Sequence, residues 1–368
     1  MKASQLPGLN ILRVFAALYM VMFHLKPSFL PDLATAFFSR GTSDTGLFFL
    51  LSGFLLAHLY GRTPMDDQHQ RRFVWKRVAR IFPANAAALL LLLLLQWTLN
   101  RPVHDWNGFL ECLLLLQSWV VGDEHLLNAP AWSMSCLMFF YLIFPVVLPR
   151  LERLRTSTLQ VVLLALWILG AVVLPELGRW PGAFDAVDWT LHLHNSPLLR
   201  VPEFILGMGV AVLVAKRGRL PSPWFRWSVP VVLAVMTLLP GETLAVNNGL
   251  FAPLSICLLM GFVNPAPWVE RLGASRFMQT VASASICIFL LHTTWTQVFT
   301  AWVFPRWHLE WNMYTLALYL GVVVGSSVML DRWVCLPLSR LLTRRPDRSG
   351  TVRPLPERAF PLSGGQPA

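Results

Sequence analysis

Arg71-Arg72-Phe73-Val74-Trp75-Lys76-Arg77-Val78-Ala79-Arg80 runs directly into Ile81-Phe82-Pro83-Ala84-Asn85-Ala86-Ala87-Ala88, and an unbroken run of leucines from Leu89 to Leu95 completes the stretch. A dense set of cations is followed by a run too apolar for a water-exposed helix. That order reads as a cytoplasmic anchor at the mouth of a membrane-spanning helix over 81–99.

The same pattern recurs along the chain. Only 13% of the 368 residues are charged while 55% are hydrophobic, and the mean hydropathy is +0.55. Lipid is therefore the solvent for most of the chain. The apolar runs predict an all-α, polytopic integral membrane protein with about ten transmembrane helices, at 8–26, 46–60, 81–99, 132–149, 159–175, 198–215, 225–240, 250–263, 281–303 and 312–331. Residues 109–121 are apolar but short, with Asp105, Glu111, Asp123 and Glu124 around them, and read as a re-entrant or interfacial segment. The first run contains Arg13 and His24, has only Lys2 before it and no small-residue cleavage pattern after it, which predicts a retained helix and not a signal peptide.

A formal charge of +11 raises the question of a polyanionic partner, and the placement of the cations answers it. Of the 30 Lys and Arg residues, 23 lie in one alternate set of loops and termini and five in the other, with Arg13 and Arg200 inside spans. The two sides carry +16 and −6, a topology signal that argues against nucleic-acid binding. By the positive-inside bias both termini are cytoplasmic, which requires an even number of spans. Residues 1–336 are expected to form the membrane domain, and 337–368, rich in Pro, Arg, Ser and Gly, a disordered cytoplasmic tail in reach of anionic lipid. The five cysteines show no C-x-x-C spacing and read as buried small hydrophobes, so no disulfide framework, metal site or tightly bound cofactor is expected.

Ionisable residues within spans are costly and mark candidate sites. Arg13 and His24 are eleven positions apart, nearly on one helical face, either as a functional pair or as a snorkelling cation and an interfacial imidazole. Arg77 and Arg80 share a face at the cytoplasmic surface, where they suit either donor phosphates or anionic lipid. Ser133 and Tyr141 follow Trp132, Arg200 and Glu203 form an i, i+3 pair, and His292 lies near the middle of span nine. No G-x-S-x-G elbow, Walker loop or H-E-x-x-H pair occurs, which removes support for serine-triad, nucleotide-hydrolysing and zinc-hydrolase chemistry. No internal repeat supports an inverted-repeat transporter.

Taken in order, these pieces resemble the integral-membrane acyltransferase family 3. The resemblance rests on the R-x10-H of Arg13 and His24, on Phe48-Phe49-Leu-Leu-Ser52-Gly53-Phe54, and on the R-x-x-R of Arg77 and Arg80 before Ile81-Phe82-Pro83. Trp132-Ser133-Met-Ser135 running to Phe139-Phe140-Tyr141, Arg200-Val-Pro-Glu203-Phe204 with Gly207, and Ile288-Phe-Leu-Leu-His292 complete it. Two positions depart from the family pattern: Leu137 stands where a Glu is common, and Gly46 where an acidic residue is frequent, with Asp44 and Glu203 the nearest carboxylates.

The resemblance implies transfer of an acyl group, acetyl in the simplest case, from acyl-CoA as co-substrate to a hydroxyl of a carbohydrate or lipid-linked glycan, in the bacterial cytoplasmic membrane. It implies His24 as general base or transient acyl carrier, Arg13 at the thioester or oxyanion, and Arg77 with Arg80 on coenzyme A phosphates. Asp44, Ser133, Tyr141, Arg200, Glu203 and His292 are substrate-pocket candidates. The competing expectation is a transporter or an inactive lipid- or donor-binding relative of the same fold.

Overall fold

The computed structural model describes residues 6–39, 41–61, 63–101, 106–177, 189–218, 221–238 and 249–343, and among them every regular element is a helix. In chain order the α-helices are α1 (Pro7–Leu25), α2 (Asp32–Phe38), α3 (Gly41–Tyr60), α4 (Asp67–Thr98), α5 (Trp106–Leu114), α6 (Trp132–Arg153), α7 (Thr156–Ile168), α8 (Leu174–Leu177) and α9 (Trp189–Asn195). They continue with α10 (Pro197–Arg217), α11 (Ser228–Leu238), α12 (Ala252–Val263), α13 (Pro267–Gly273), α14 (Arg276–Ser283), α15 (Ser285–Val298), α16 (Phe304–Trp307), α17 (Met313–Leu330) and α18 (Leu336–Thr343). Single π-helical turns at Leu169–Val173, Phe299–Val303 and Asp331–Cys335 join α7 to α8, α15 to α16 and α17 to α18.

Local chemistry sets these boundaries. Pro7 opens α1, where a missing N–H costs nothing. The Asp66 carboxylate caps α4 by accepting from the His69 amide at 2.9 Å. Asn312 and Thr315 form a reciprocal capping box at the start of α17.

Seven stretches are long and apolar enough to cross a bilayer: Pro7–Leu25, Asp67–Thr98, Ala129–Arg153, Thr156–Glu176, His192–Arg217, Ser285–Trp307 and Met313–Thr343. The expected span over 250–263 coincides with α12, which passes the same test only together with α13, from which it is bent by 86°. Seven such spans, or eight with this bent pair, thus stand among the described residues against the ten expected. At the other two expected spans the structure has shorter apolar helices, Thr45–Tyr60 within α3 and α11. The apolar segment at 109–121 divides into α5 and a 3-10 turn at Gln117–Trp119, and Asn85 of α4 anchors it by donating to the Cys112 carbonyl at 2.8 Å.

The tail boundary at 337 needs correction. Helix continues through α18 to Thr343, packed on α4, with the Trp75 indole N–H donating to the Leu342 carbonyl at 2.7 Å. An amphipathic turn with an adjacent apolar wall gains more from docking than the composition of the whole tail suggests. Residues from 344 onward lie outside the described set.

The core is centred on α3, which packs lengthwise against α10. A Cβ on Gly53 would collide with the Phe204 carbonyl, and one on Gly207 with the Leu50 carbonyl, so only glycine allows the two backbones to approach this closely. Around that seam Phe49, Phe140 and Phe204 are fully buried, with Phe140 stacked on Phe204 at 4.9 Å between ring centroids.

Candidate functional site

Three sites of buried polarity line up along this scaffold. The first is a cavity of about 630 Å³ near the N-terminal end of α1, walled by α1, α3, α4, α6, α14, α15 and α18. Leu9, Leu51, Leu55, Leu137 and Leu336 supply much of its wall, while Arg13, Lys76, Arg77 and Arg80 supply charge. Tyr141 also lines it.

The cations of this cavity are not equivalent. Arg13 donates to the Ser285 hydroxyl at 3.3 Å, and Arg77 donates to the Tyr60 hydroxyl at 3.0 Å while lying over the Tyr60 and Phe73 rings at 5.4 and 5.3 Å. Among the described residues neither has a carboxylate partner. Arg80 is different: its Nη1 lies 2.5 Å from Asp331 Oδ1, and its Nη2 donates to the Ser283 carbonyl at 2.7 Å. Ser283 closes the network by donating to Asp331 Oδ2 at 2.7 Å. The R-x-x-R motif thus splits into one guanidinium with an unneutralised charge and one held by a buried carboxylate.

The second site lies at the other end of α1. His24 and His292 approach to 5.0 Å between ring centroids. Nδ1 of His24 lies 2.9 Å from the Met20 carbonyl and Nδ1 of His292 lies 2.8 Å from the Phe289 carbonyl. A carbonyl only accepts, so both Nδ1 atoms carry hydrogen and each neutral ring keeps its lone pair on Nε2. Phe289, stacked parallel to Phe48 at 6.1 Å, stands between this level and the cavity, which Phe48 also lines.

Eleven residues of α-helix separate Arg13 from His24 by about 16 Å along the axis. Ser285, which Arg13 touches, is seven residues before His292 on α15, a rise of about 10 Å. Arg13 lines the cavity, while His24 pairs with His292 toward the other end of α1.

The third site is a closed one. Arg200 Nε lies 3.0 Å from Glu203 Oε2, Nη1 is 3.3 Å from His194 Nδ1, and the guanidinium sits over the Phe49 and Trp132 rings at 5.4 and 5.8 Å. Arg200 is fully buried and Glu203 is 3% exposed, and neither lines the cavity. A Cβ at Gly46 would lie 2.7 Å from Glu203 Oε1, so this carboxylate fills the space a side chain at 46 would need. Ser133 is also buried away from the cavity, its hydroxyl donating to the Pro130 carbonyl at 3.0 Å. Asp44 falls in α3, and its side chain lies outside the described set.

Sequence reasoning missed Tyr60, Ser283 and Asp331. Asp331 offered a signal, an acidic residue at the basic end of a span, whereas Tyr60 and Ser283 become site residues only through contacts distant in sequence.

An all-helical bundle of long apolar helices with a cationic cavity of about 630 Å³ and a histidine pair deeper in the bundle defines a polytopic membrane protein. The chain belongs to acyltransferase family 3: the family's "Acyltransferase domain" matches residues 6–331. It is 34% identical over 233 residues to the acyltransferase MdmB of Streptomyces mycarofaciens, covering 58% of each chain. It is 21% identical over 320 residues to SACOL0978 of Staphylococcus aureus (strain COL), a protein with a provisional O-acetyltransferase name, covering 79% of this chain and 50% of that one. The chain thus spans between half and three fifths of the length of these relatives. No solved structure matches it.

Proposed function

We propose that the protein is a membrane-bound O-acyltransferase that moves an acyl group, acetyl in the simplest case, from acyl-CoA to a hydroxyl of a carbohydrate or glycoconjugate in the bacterial cytoplasmic membrane. The observation that carries this reading is the cavity in which Arg13 and Arg77 have no carboxylate partner among the described residues, beside leucine walls and below a histidine pair. Cationic side chains held without counter-ions suit phosphates, and Arg77 with Lys76 would bind them while Arg13 sits deeper. Donor and base levels are about 10 Å apart, so the thioester must ride on an arm, as it does in acyl-CoA. The basic set of loops supports a cytoplasmic cavity mouth and cytoplasmic termini.

At the upper level His24 Nε2 takes the acceptor's hydroxyl proton. The alkoxide oxygen attacks the thioester carbonyl carbon, the C–S bond breaks, and its electron pair leaves on the thiolate, which the same proton then neutralises. Leu137 on the cavity wall, where the family commonly has Glu, favours a second reading: a relative that binds donor or lipid without transfer.

Purified protein incubated with radiolabelled acetyl-CoA and a panel of sugar and macrolide acceptors separates the two. His24→Ala should keep donor binding and lose about 10²- to 10⁴-fold in transfer, and the parent's rate should rise with pH as the base loses its proton. Donor binding without transfer to any acceptor would favour the inactive relative, and substantial turnover by His24→Ala would remove His24 from the mechanism.

A further inference from the structure

His292 is fully buried, yet its Nε2 has no hydrogen-bond partner among the described residues. An orphaned buried nitrogen forfeits about 1–3 kcal/mol, which needs a reason. Its ring is restrained by Nδ1–H committed to Phe289, and the helix around it is anchored by the Tyr319 hydroxyl donating to the His292 carbonyl at 2.9 Å and Thr293 donating to Asn128 Oδ1 at 2.9 Å. Among the described residues the ring that packs beside it and can hand over a proton is His24, ring to ring at 5.0 Å.

We infer that His292 is the positioning residue of the base, its Nε2 accepting a hydrogen bond from the Nε2–H of His24 once His24 has taken the acceptor's proton. This rests on the acyl-transfer reading above. Before transfer both Nε2 lone pairs are free. After the acceptor O–H bond breaks, one proton is held between two nitrogens until the departing thiolate takes it, so no net proton or electron is gained. A second imidazolium 5.0 Å away would be repelled, so the dyad carries a single charge.

Other groups around the dyad do not replace this role. α1 contributes Lys26, whose ammonium lies over the Phe23 ring at 5.3 Å, and the segment before α6 contributes His125, which Asn195 engages at 3.0 Å. Burial lowers the His125 pKa against the opposing pull of Glu124, which keeps that imidazole neutral. α17 contributes the Tyr319 hydroxyl, and α4 the uncharged Gln96, which donates to Gln297 at 3.3 Å.

The test measures kcat, donor KM and the pH–rate profile in the parent, His292→Phe and His292→Gln. An acceptor nitrogen stabilises protonated His24, so its loss lets the base shed its proton at lower pH. The acid limb of the profile should move to lower pH in both variants, with kcat reduced about 10- to 100-fold in Phe, less in Gln, and donor KM unchanged. Gln offers an oxygen that accepts the hydrogen bond more weakly, which makes it the partial rescue. A parent-like profile in either variant, or equal losses in both, overturns the inference. If Phe fails to insert, the Gln profile alone decides by the same criterion. A parent that transfers nothing would instead defeat the acyl-transfer reading.

Discussion

Arg200 and Arg77 are both arginines set against aromatic rings inside the membrane domain, yet they stand in opposite situations. Arg200 meets Glu203 at 3.0 Å and is fully buried, and a Cβ at Gly46 would lie 2.7 Å from the Glu203 carboxylate. Among the described residues Arg77 meets a hydroxyl and ring faces but no carboxylate, and it lines a cavity of about 630 Å³. The difference teaches that an arginine in a membrane protein is neutralised or keeps its charge available according to whether the fold gives it a carboxylate. Arg80 tests the rule from within the motif, because it lines the same cavity as Arg77 but is neutralised by Asp331.

The comparison breaks most visibly at Glu203. Glu203→Ala strands a buried guanidinium and should destabilise the protein by about 3–5 kcal/mol, read as a fall in thermal midpoint in detergent. Joint replacement of Arg200 by Met and Glu203 by Leu should recover most of that loss, and failure to recover would make the pair more than an ion pair. Arg80→Gln should come next. It leaves Asp331 buried and unpaired and should cost about 1–3 kcal/mol of stability before any change in donor affinity.

Arg77→Gln should do the reverse, with an unchanged thermal midpoint and acyl-CoA affinity weaker by about 1.5–3 kcal/mol, measured by titration calorimetry. What binding remains should be less salt-sensitive, since a phosphate contact has been lost. If Arg77→Gln unfolds the protein while Arg80→Gln only weakens binding, the distinction between them is reversed. The last test alters no energy. A cysteine placed at Ser339 in a background lacking the native cysteines should be labelled from the cytoplasmic side, beside the cavity mouth, and periplasmic labelling would invert the orientation.

Sequence by itself determined the solvent of this protein and its helical class, because a leucine run such as 89–95 behind five cations has few other physical outcomes. It also marked Arg13, His24, Arg200, Glu203 and His292, since ionisable groups within apolar stretches are rare enough to be conspicuous, and Arg77 and Arg80 by their spacing at the mouth of a span. It could not rank them. Arg77 and Arg80 are indistinguishable as text, and only the meeting of α4 with the turn at Asp331–Cys335 gives one of them a counter-ion. Arg13 and His24 share one helix face, but rigid helical rise separates them by about 16 Å and assigns them to different levels. His292 joined His24 only through the packing of α1 on α15, a contact between residues far apart in sequence. Local spacing fixes which residues share a helix face, whereas the neutralisation of a charge and the partner of an imidazole depend on which helices pack together, and that is settled by side-chain packing such as the glycine seam between α3 and α10.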